Sequence, residues 1–336
     1  MPAERGGLGS SLRAKRSDAM SEAMSTPRLR HTAIAAVATA LMLPAVSAAG
    51  EPALQSAKVP TPTARPTAAS PAGSASCRPA QFRIVVDVGH TAESPGAMSA
   101  RGVPEYEFNL SLSWRIQQAL VAAGFTRAAR LISNGPARDS LYRRVAHANR
   151  LRGDLFLSVH HDSVPDKFLQ FWQHDGRELG FSDRFRGHSL FVSHASPRYA
   201  ASLTFARLLG RELKARGLVY TPHYTRRDMG SRRRQLVDAG AGVYRFDRLF
   251  VLRKTNMPAV LLEAASIINR NEEPLGFDPR RQGLVAAAVV DAVEAFCAER
   301  AARTVRKVER AKRKRPARAA TPPAGEAMPT EAEQLP

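Results

Sequence analysis

The feature that most constrains this chain is an alternation of two periods. Three short, almost wholly apolar runs, residues 83–88, 154–159 and 259–262, are separated by longer stretches with helical spacing. A continuous apolar run of this length, bounded by turn residues, reads as a strand buried on both faces. Residues 105–123 carry Phe108, Leu112, Ile116 and Leu120 four apart, which is one face of a helix. Residues 196–216, with Ser196 as candidate N-cap before Pro197, and residues 280–297 are further predicted helices. Strands alternating with helices of this length predict an α/β fold: one domain with a twisted, mostly parallel sheet flanked by helices. No internal repeat interrupts the pattern.

The flanks are of different composition. Arg28, Arg30 and His31 precede an apolar run over 32–44, and the small residues Ala45-Val46-Ser47-Ala48-Ala49 follow it. That order predicts a cleaved export signal over 1–49, with Met20 and Met24 open as alternative starts. The apolar run falls short of the roughly 20 residues of a membrane span. Residues 50–80, rich in Pro, Ala, Ser and Thr, read as a disordered linker. The folded domain is predicted over 81–297. Residues 298–336, first basic and then Pro/Glu-rich, read as a second disordered segment.

The net charge is +20, but residues 299–318 alone hold ten Lys or Arg against two Glu. The basicity is therefore largely a property of the tail. An exported chain does not meet nucleic acid, so the tail is expected to meet anionic phospholipid, lipopolysaccharide or wall polymer, or nothing. Cys77 and Cys297 are the two cysteines. In an oxidising compartment such a pair bridges or stays as two thiols, and spacing leaves both open.

Candidate chemistry sits where the strands end. His90 lies two residues past the first run, His160 directly after the second and Glu263 directly after the third. Glu105 opens the first helix. In parallel sheets, sites gather at the carboxyl ends of strands. Two imidazoles and a carboxylate leave an open position, as catalytic zinc requires. A further carboxylate there can move the proton of an attacking water.

These residues also lie in recognisable motifs. The segment from Ile84 to His90, then Pro95-Gly96-Ala97, Gly102 and Glu105 to Leu110, resembles the opening of the zinc-dependent N-acetylmuramoyl-L-alanine amidases. Arg144, Ala148 and Asn149, the strand ending in His160-His161-Asp162, and the segment from Val251 to Glu263 are similar to the later motifs of that family, in order. The resemblance implies His90, Glu105 and His160 as ligands of Zn2+ and Glu263 as general base. It implies peptidoglycan as substrate, cut between N-acetylmuramic acid and L-alanine, in wall turnover or daughter-cell separation; the export signal and a basic Ala/Arg-rich composition without wall-binding repeats lead to the expectation of an exported, periplasmic enzyme. Thr91, Ser133-Asn134 and Ala264-Ala265-Ser266 depart from the family pattern without removing a ligand. A zinc peptidase of the stem peptide and a silent wall-binding protein are the rival readings.

Glu107 competes with Glu105 as ligand, and alignment on Asn109-Leu110 favours Glu105. His161 is expected on the opposite strand face from His160, and Asp162 either orients a ligand histidine or merely turns the chain. His174, His188, His194 and His223 lack ligand spacing and are assigned to the surface or to ordinary hydrogen bonds; His147 is read as a solvated helix residue. Two segments, residues 165–187 with Phe168, Phe171, Trp172 and Phe185 among them and 221–244 with five arginines, are long for a connection. A glycan wall, a subsite for stem-peptide carboxylates, a self-blocking element moved by an activator protein and a plain packed insertion all remain open for them.

Overall fold

The computed structural model describes residues 77–314. The expected export signal and most of the linker lie outside the described residues, as does the end of the tail. The core is a seven-stranded sheet with order β2-β1-β3-β9-β6-β8-β7. Its strands are β1 (Ile84–Val88), β2 (Ala129–Leu131), β3 (Leu155–Asp162), β6 (Ser189–Val192), β7 (Gln235–Asp238), β8 (Val243–Arg245) and β9 (Ala259–Ser266). The pairings β1–β2, β1–β3, β3–β9 and β6–β8 are parallel, while β6–β9 and β7–β8 are antiparallel. The expected mostly parallel sheet is therefore present.

Helices cover both faces. Ile84, Val86, Leu155, Leu157, Val159, Val260 and Leu262 pack beneath α1 (Glu105–Ala122), α3 (Tyr199–Ala215) and the first part of α5 (Pro279–Lys314). Val85, Phe156, Ala259 and Leu261, which point the other way, pack beneath α2 (Ala137–Leu151) and α4 (Phe250–Lys254). This two-sided burial is why the central strands read as unbroken apolar runs.

Several boundaries differ from expectation. The domain starts at Cys77, which is bonded to Cys297 and so ties the entry of β1 to α5. α3 begins at Tyr199, and Ser196 shapes the turn before it instead of capping the helix. α5 does not stop at Cys297 but continues to Lys314. Arg300 pins that extension, pairing with Asp154 at 3.1 Å and lying over the rings of Phe82 and Phe296. Beyond it, Ala, Arg, Lys and Glu are strong helix formers that need no apolar face. The two long segments are also ordered: one folds into a hairpin of β4 (Gln170–His174) and β5 (Arg177–Phe181), and the other holds β7.

Candidate metal centre and active site

His90 follows β1 in a left-handed backbone conformation (φ 66°), which is rare for a residue with a side chain. The buried Arg144 holds this turn by donating to the carbonyl oxygens of Val88 and His90 and by pairing with Asp87 at 2.9 Å. Gly89 and Gly96 leave room for the side chains. A Cβ on Gly89 would lie 2.5 Å from the His160 ring, and one on Gly96 would lie 2.5 Å from a Glu105 carboxylate oxygen.

Glu105 is the first residue of α1 and is buried. Its Oε2 lies 2.9 Å from His90 Nε2 and its Oε1 lies 2.9 Å from His160 Nδ1. One donor atom from each of the three residues lies within 4.8 Å of the others. Burial pushes the Glu105 carboxyl up, but the bonds to His160 and His90 outweigh it and hold the group well below the usual range. Burial likewise depresses His160, keeping its imidazole neutral and available as a ligand. The donor set, two imidazoles and an ionised carboxylate, suits a zinc ion. The His90 side chain stays 31% exposed, so one side of the triad is open to substrate. Glu107 points to solvent, which leaves Glu105 as the carboxylate of the site.

Asn109, one turn along α1, supports that carboxylate. Its Nδ2 donates to Glu105 Oε1 at 3.2 Å and to the Gly89 carbonyl at 3.3 Å. Its Oδ1 must then face the other way, where it meets His161 Nδ1 at 2.8 Å. His161 therefore lies on the opposite face from His160, against α1, with its pKa lowered to about 4 by burial. The doubled histidine in the sequence divides its labour: one ring faces the triad and the other sets the amide that holds the triad's carboxylate.

Glu263 stands opposite His160 in the β3–β9 register, with Ser189 on its other side. Its Oε2 is buried and has no partner among the described residues. Burial raises its pKa well above the ordinary value; the charges of Asp162 and Glu105 add to this and Arg232 offsets part of it. Such a carboxyl is poised to hold a proton.

Asp162 orients no ligand histidine among the described residues, and it does more than turn the chain. Its Oδ1 accepts from Tyr224 Oη at 2.7 Å and from the Ser163 amide at 2.8 Å. Arg232 approaches to 3.7 Å and His223 Nε2 to 3.5 Å. Burial lifts its pKa to about 6. His223 and His188 are both buried; His223 makes the ordinary hydrogen bond expected of it, to Thr221, whereas His188 lies neither at the surface nor in a side-chain hydrogen bond among the described residues. Neither ring nitrogen of His188 has a hydrogen-bond partner among the described residues. Tyr224, His223 and Arg232 come from the arginine-rich segment, where only its composition marked them.

A family model described as N-acetylmuramoyl-L-alanine amidase (Amidase_3) matches residues 84–295. Among curated proteins, the chain is 25% identical over 214 residues to the N-acetylmuramoyl-L-alanine amidase AmiC of Neisseria meningitidis, covering 57% of this chain and 47% of that one. It is 24% identical over 241 residues to AmiC of Escherichia coli, covering 64% and 53%. The chain thus spans about half the length of the curated relatives it matches. Among solved structures, the amidase Ami1 of Mycobacterium smegmatis is 20% identical, with a TM-score of 0.49 over 65% of this chain and 97% of that one. The catalytic domain of CwlV from Bacillus (Paenibacillus) polymyxa is 23% identical, with a TM-score of 0.46 over 64% and 97%. With the family model covering well over half of the sequence, the chain belongs to the Amidase_3 family of N-acetylmuramoyl-L-alanine amidases.

Proposed function

We propose that this protein is a zinc-dependent peptidoglycan hydrolase that cleaves the amide bond between N-acetylmuramic acid and L-alanine. The observation that carries this reading is the meeting of His90, Glu105 and His160, with Glu263 held opposite His160 by the sheet register. His90, Glu105 and His160 would hold the ion. Zinc, when bound, supplies Lewis acidity toward water and toward the scissile carbonyl.

The chain's own residues supply the rest. Glu263 takes the proton of the attacking water on its carboxylate and passes it to the leaving alanine nitrogen. Glu263, whose pKa burial raises, would be drawn back toward its carboxylate form by a cation held at the triad. Asn109 and the Ala97 amide fix the Glu105 carboxylate, so both imidazoles face one point. Arg144 fixes the His90 turn from beneath.

The expected export signal supports a location in the envelope, with the periplasm as its compartment. The exposed basic residues Arg303, Arg306, Lys307 and Arg310 on α5 support contact with an anionic envelope surface. An activator protein would act on segments 165–187 or 221–244.

Metal analysis tests the reading together with activity. The purified protein should hold one zinc per chain, and Glu105→Ala should lose both the zinc and the release of stem peptides from peptidoglycan. Stem release by a zinc-free Glu105→Ala protein would refute the proposed centre.

A further inference from the structure

A cleft of about 420 Å3 is lined by Arg184, Phe185, Arg186, Thr221, His223 and Arg226. Its two walls come from the ends of the two long segments. They are stitched together by main-chain bonds, His188 N to Val219 O at 3.0 Å and Thr221 N to His188 O at 2.8 Å. Gly187, at φ 98°, allows this approach, since a Cβ there would lie 2.6 Å from the Val219 oxygen. The cleft is thus preformed.

Its charge is one-sided. Arg184 and Arg186 are exposed and form no ion pair among the described residues, whereas Arg226 is paired with Asp228. The His223 ring is buried in the cleft wall, with its Nδ1 bonded to Thr221 and its Nε2 without a hydrogen-bond partner. Phe185 packs edge-on against that ring at 5.1 Å. Arginines set against an aromatic wall suit a planar anion on a chain with some apolar surface.

The cleft is tied to the catalytic edge through His223, whose Nε2 lies 3.5 Å from Asp162 Oδ2. Asp162 follows His160 by two residues on the same strand, which is about 7 Å.

We infer that the Arg184–Arg186–Arg226 cleft is a subsite for a carboxylate of the stem peptide. The inference rests on the proposed amidase reading for the identity of the ligand. The cleft selects stems that carry a free side-chain carboxylate over stems in which it is blocked as the carboxamide. Phosphate shares the chemistry of a planar-clamped anion but lacks the peptide that reaches back to the triad.

The test measures binding, so it does not depend on turnover. Two synthetic stem peptides, one with a free side-chain carboxylate and one with its carboxamide, are titrated by calorimetry onto the full chain. Inorganic phosphate is run as competitor. The free acid should bind about tenfold more tightly than the amide, the worth of one charge-assisted contact. That ratio should fall toward one in the Arg184→Gln/Arg186→Gln double variant, with Arg186→Gln alone as the milder form should the double variant not fold. Equal binding of acid and amide, a ratio unmoved by the substitutions, or phosphate binding without any preference for the acid peptide would overturn the subsite. Cleavage of peptidoglycan without a carboxylate preference would overturn the subsite and leave the amidase reading intact. Carboxylate preference in a protein that cuts no amide would do the reverse.

Discussion

His160 and Glu263 stand directly opposite each other on adjacent parallel strands. Cross-strand neighbours share a face of the sheet, so a proposed metal ligand and the proposed base are held at a fixed separation by main-chain hydrogen bonds and not by loops. The third ligand, Glu105, reaches them from the start of α1, and the fourth side of the triad is left open.

The proposed base can be removed without removing the metal. Glu263→Gln should lower kcat by roughly 10²- to 10⁴-fold, the usual worth of a positioned general base. Zinc content should be unchanged, because Glu263 is not among the three clustered ligands. Thermal stability should hold or rise, since burial already disfavours the charged form of this carboxyl. Activity measured beside zinc content and melting temperature checks this; loss of zinc in the variant would make Glu263 a ligand instead.

Asn109 is expected to act through Glu105. Asn109→Ala removes the Nδ2 donor 3.2 Å from the Glu105 carboxylate. Zinc affinity should weaken by about 10- to 100-fold, as for other residues that orient a ligand. His161→Ala should weaken it in the same direction by freeing the Asn109 amide, and the two effects should not add in the double variant. Competition with a chromophoric chelator reads the affinity, and full additivity would show that the two residues act separately.

His188 makes a pH-dependent contribution. Burial lowers its pKa from 6.5 to about 4, with the Arg281 charge acting in the same direction. The unfolded chain then binds this proton at a higher pH than the folded chain. Stability from a neutral His188 is full above pH 6.5 and is lost as the pH falls toward 4. Between pH 7 and 4.5, wild type should therefore lose about 2–3 kcal/mol more than His188→Gln. Urea unfolding at the two pH values measures it, and equal losses in both proteins would mean that His188 is protonated or solvated in the fold.

The bond between Cys77 and Cys297 closes a loop with a sequence separation of 220. Constraint of so long a loop in the unfolded chain should stabilise the domain by about 2–5 kcal/mol. Cys77→Ala/Cys297→Ala should lose that amount in denaturant titration while keeping its zinc, because neither cysteine is part of the triad. A variant with unchanged stability would show that the staple constrains nothing the fold does not already fix.

The central strands were legible because burial on both faces leaves apolar runs, and the meeting of His90 and His160 was legible because both follow such runs. β2, β6, β7 and β8 are three or four residues each, too short for a period to show. The reach of α5 to Lys314 was hidden for the opposite reason, since a solvent-facing helix of Ala, Arg and Lys has no apolar stripe. Cys77 and Cys297 left pairing undecided in the sequence, because only tertiary packing, such as Phe82 just before β1 against Phe296 of α5, brings them within reach. The Asp162–Tyr224–His223–Arg232 cluster joins residues some 60–70 positions apart, and no local pattern announces it. The Asn109–His161 bond has a partial signal, the repeated histidine, whose alternation on a strand placed the second ring correctly but could not name its partner.

The central claim is that the triad and Glu263 together cut the amide that joins glycan to peptide. Its most direct measurement is the mass spectrum of fragments released from purified peptidoglycan by the full chain, first treated with chelator and then restored with zinc. Zinc-restored protein should release stem peptides that begin with a free L-alanine amine and leave the glycan strands intact, and chelated protein should release none. Fragments cut within the stem peptide, or release that is indifferent to chelation, would contradict the account.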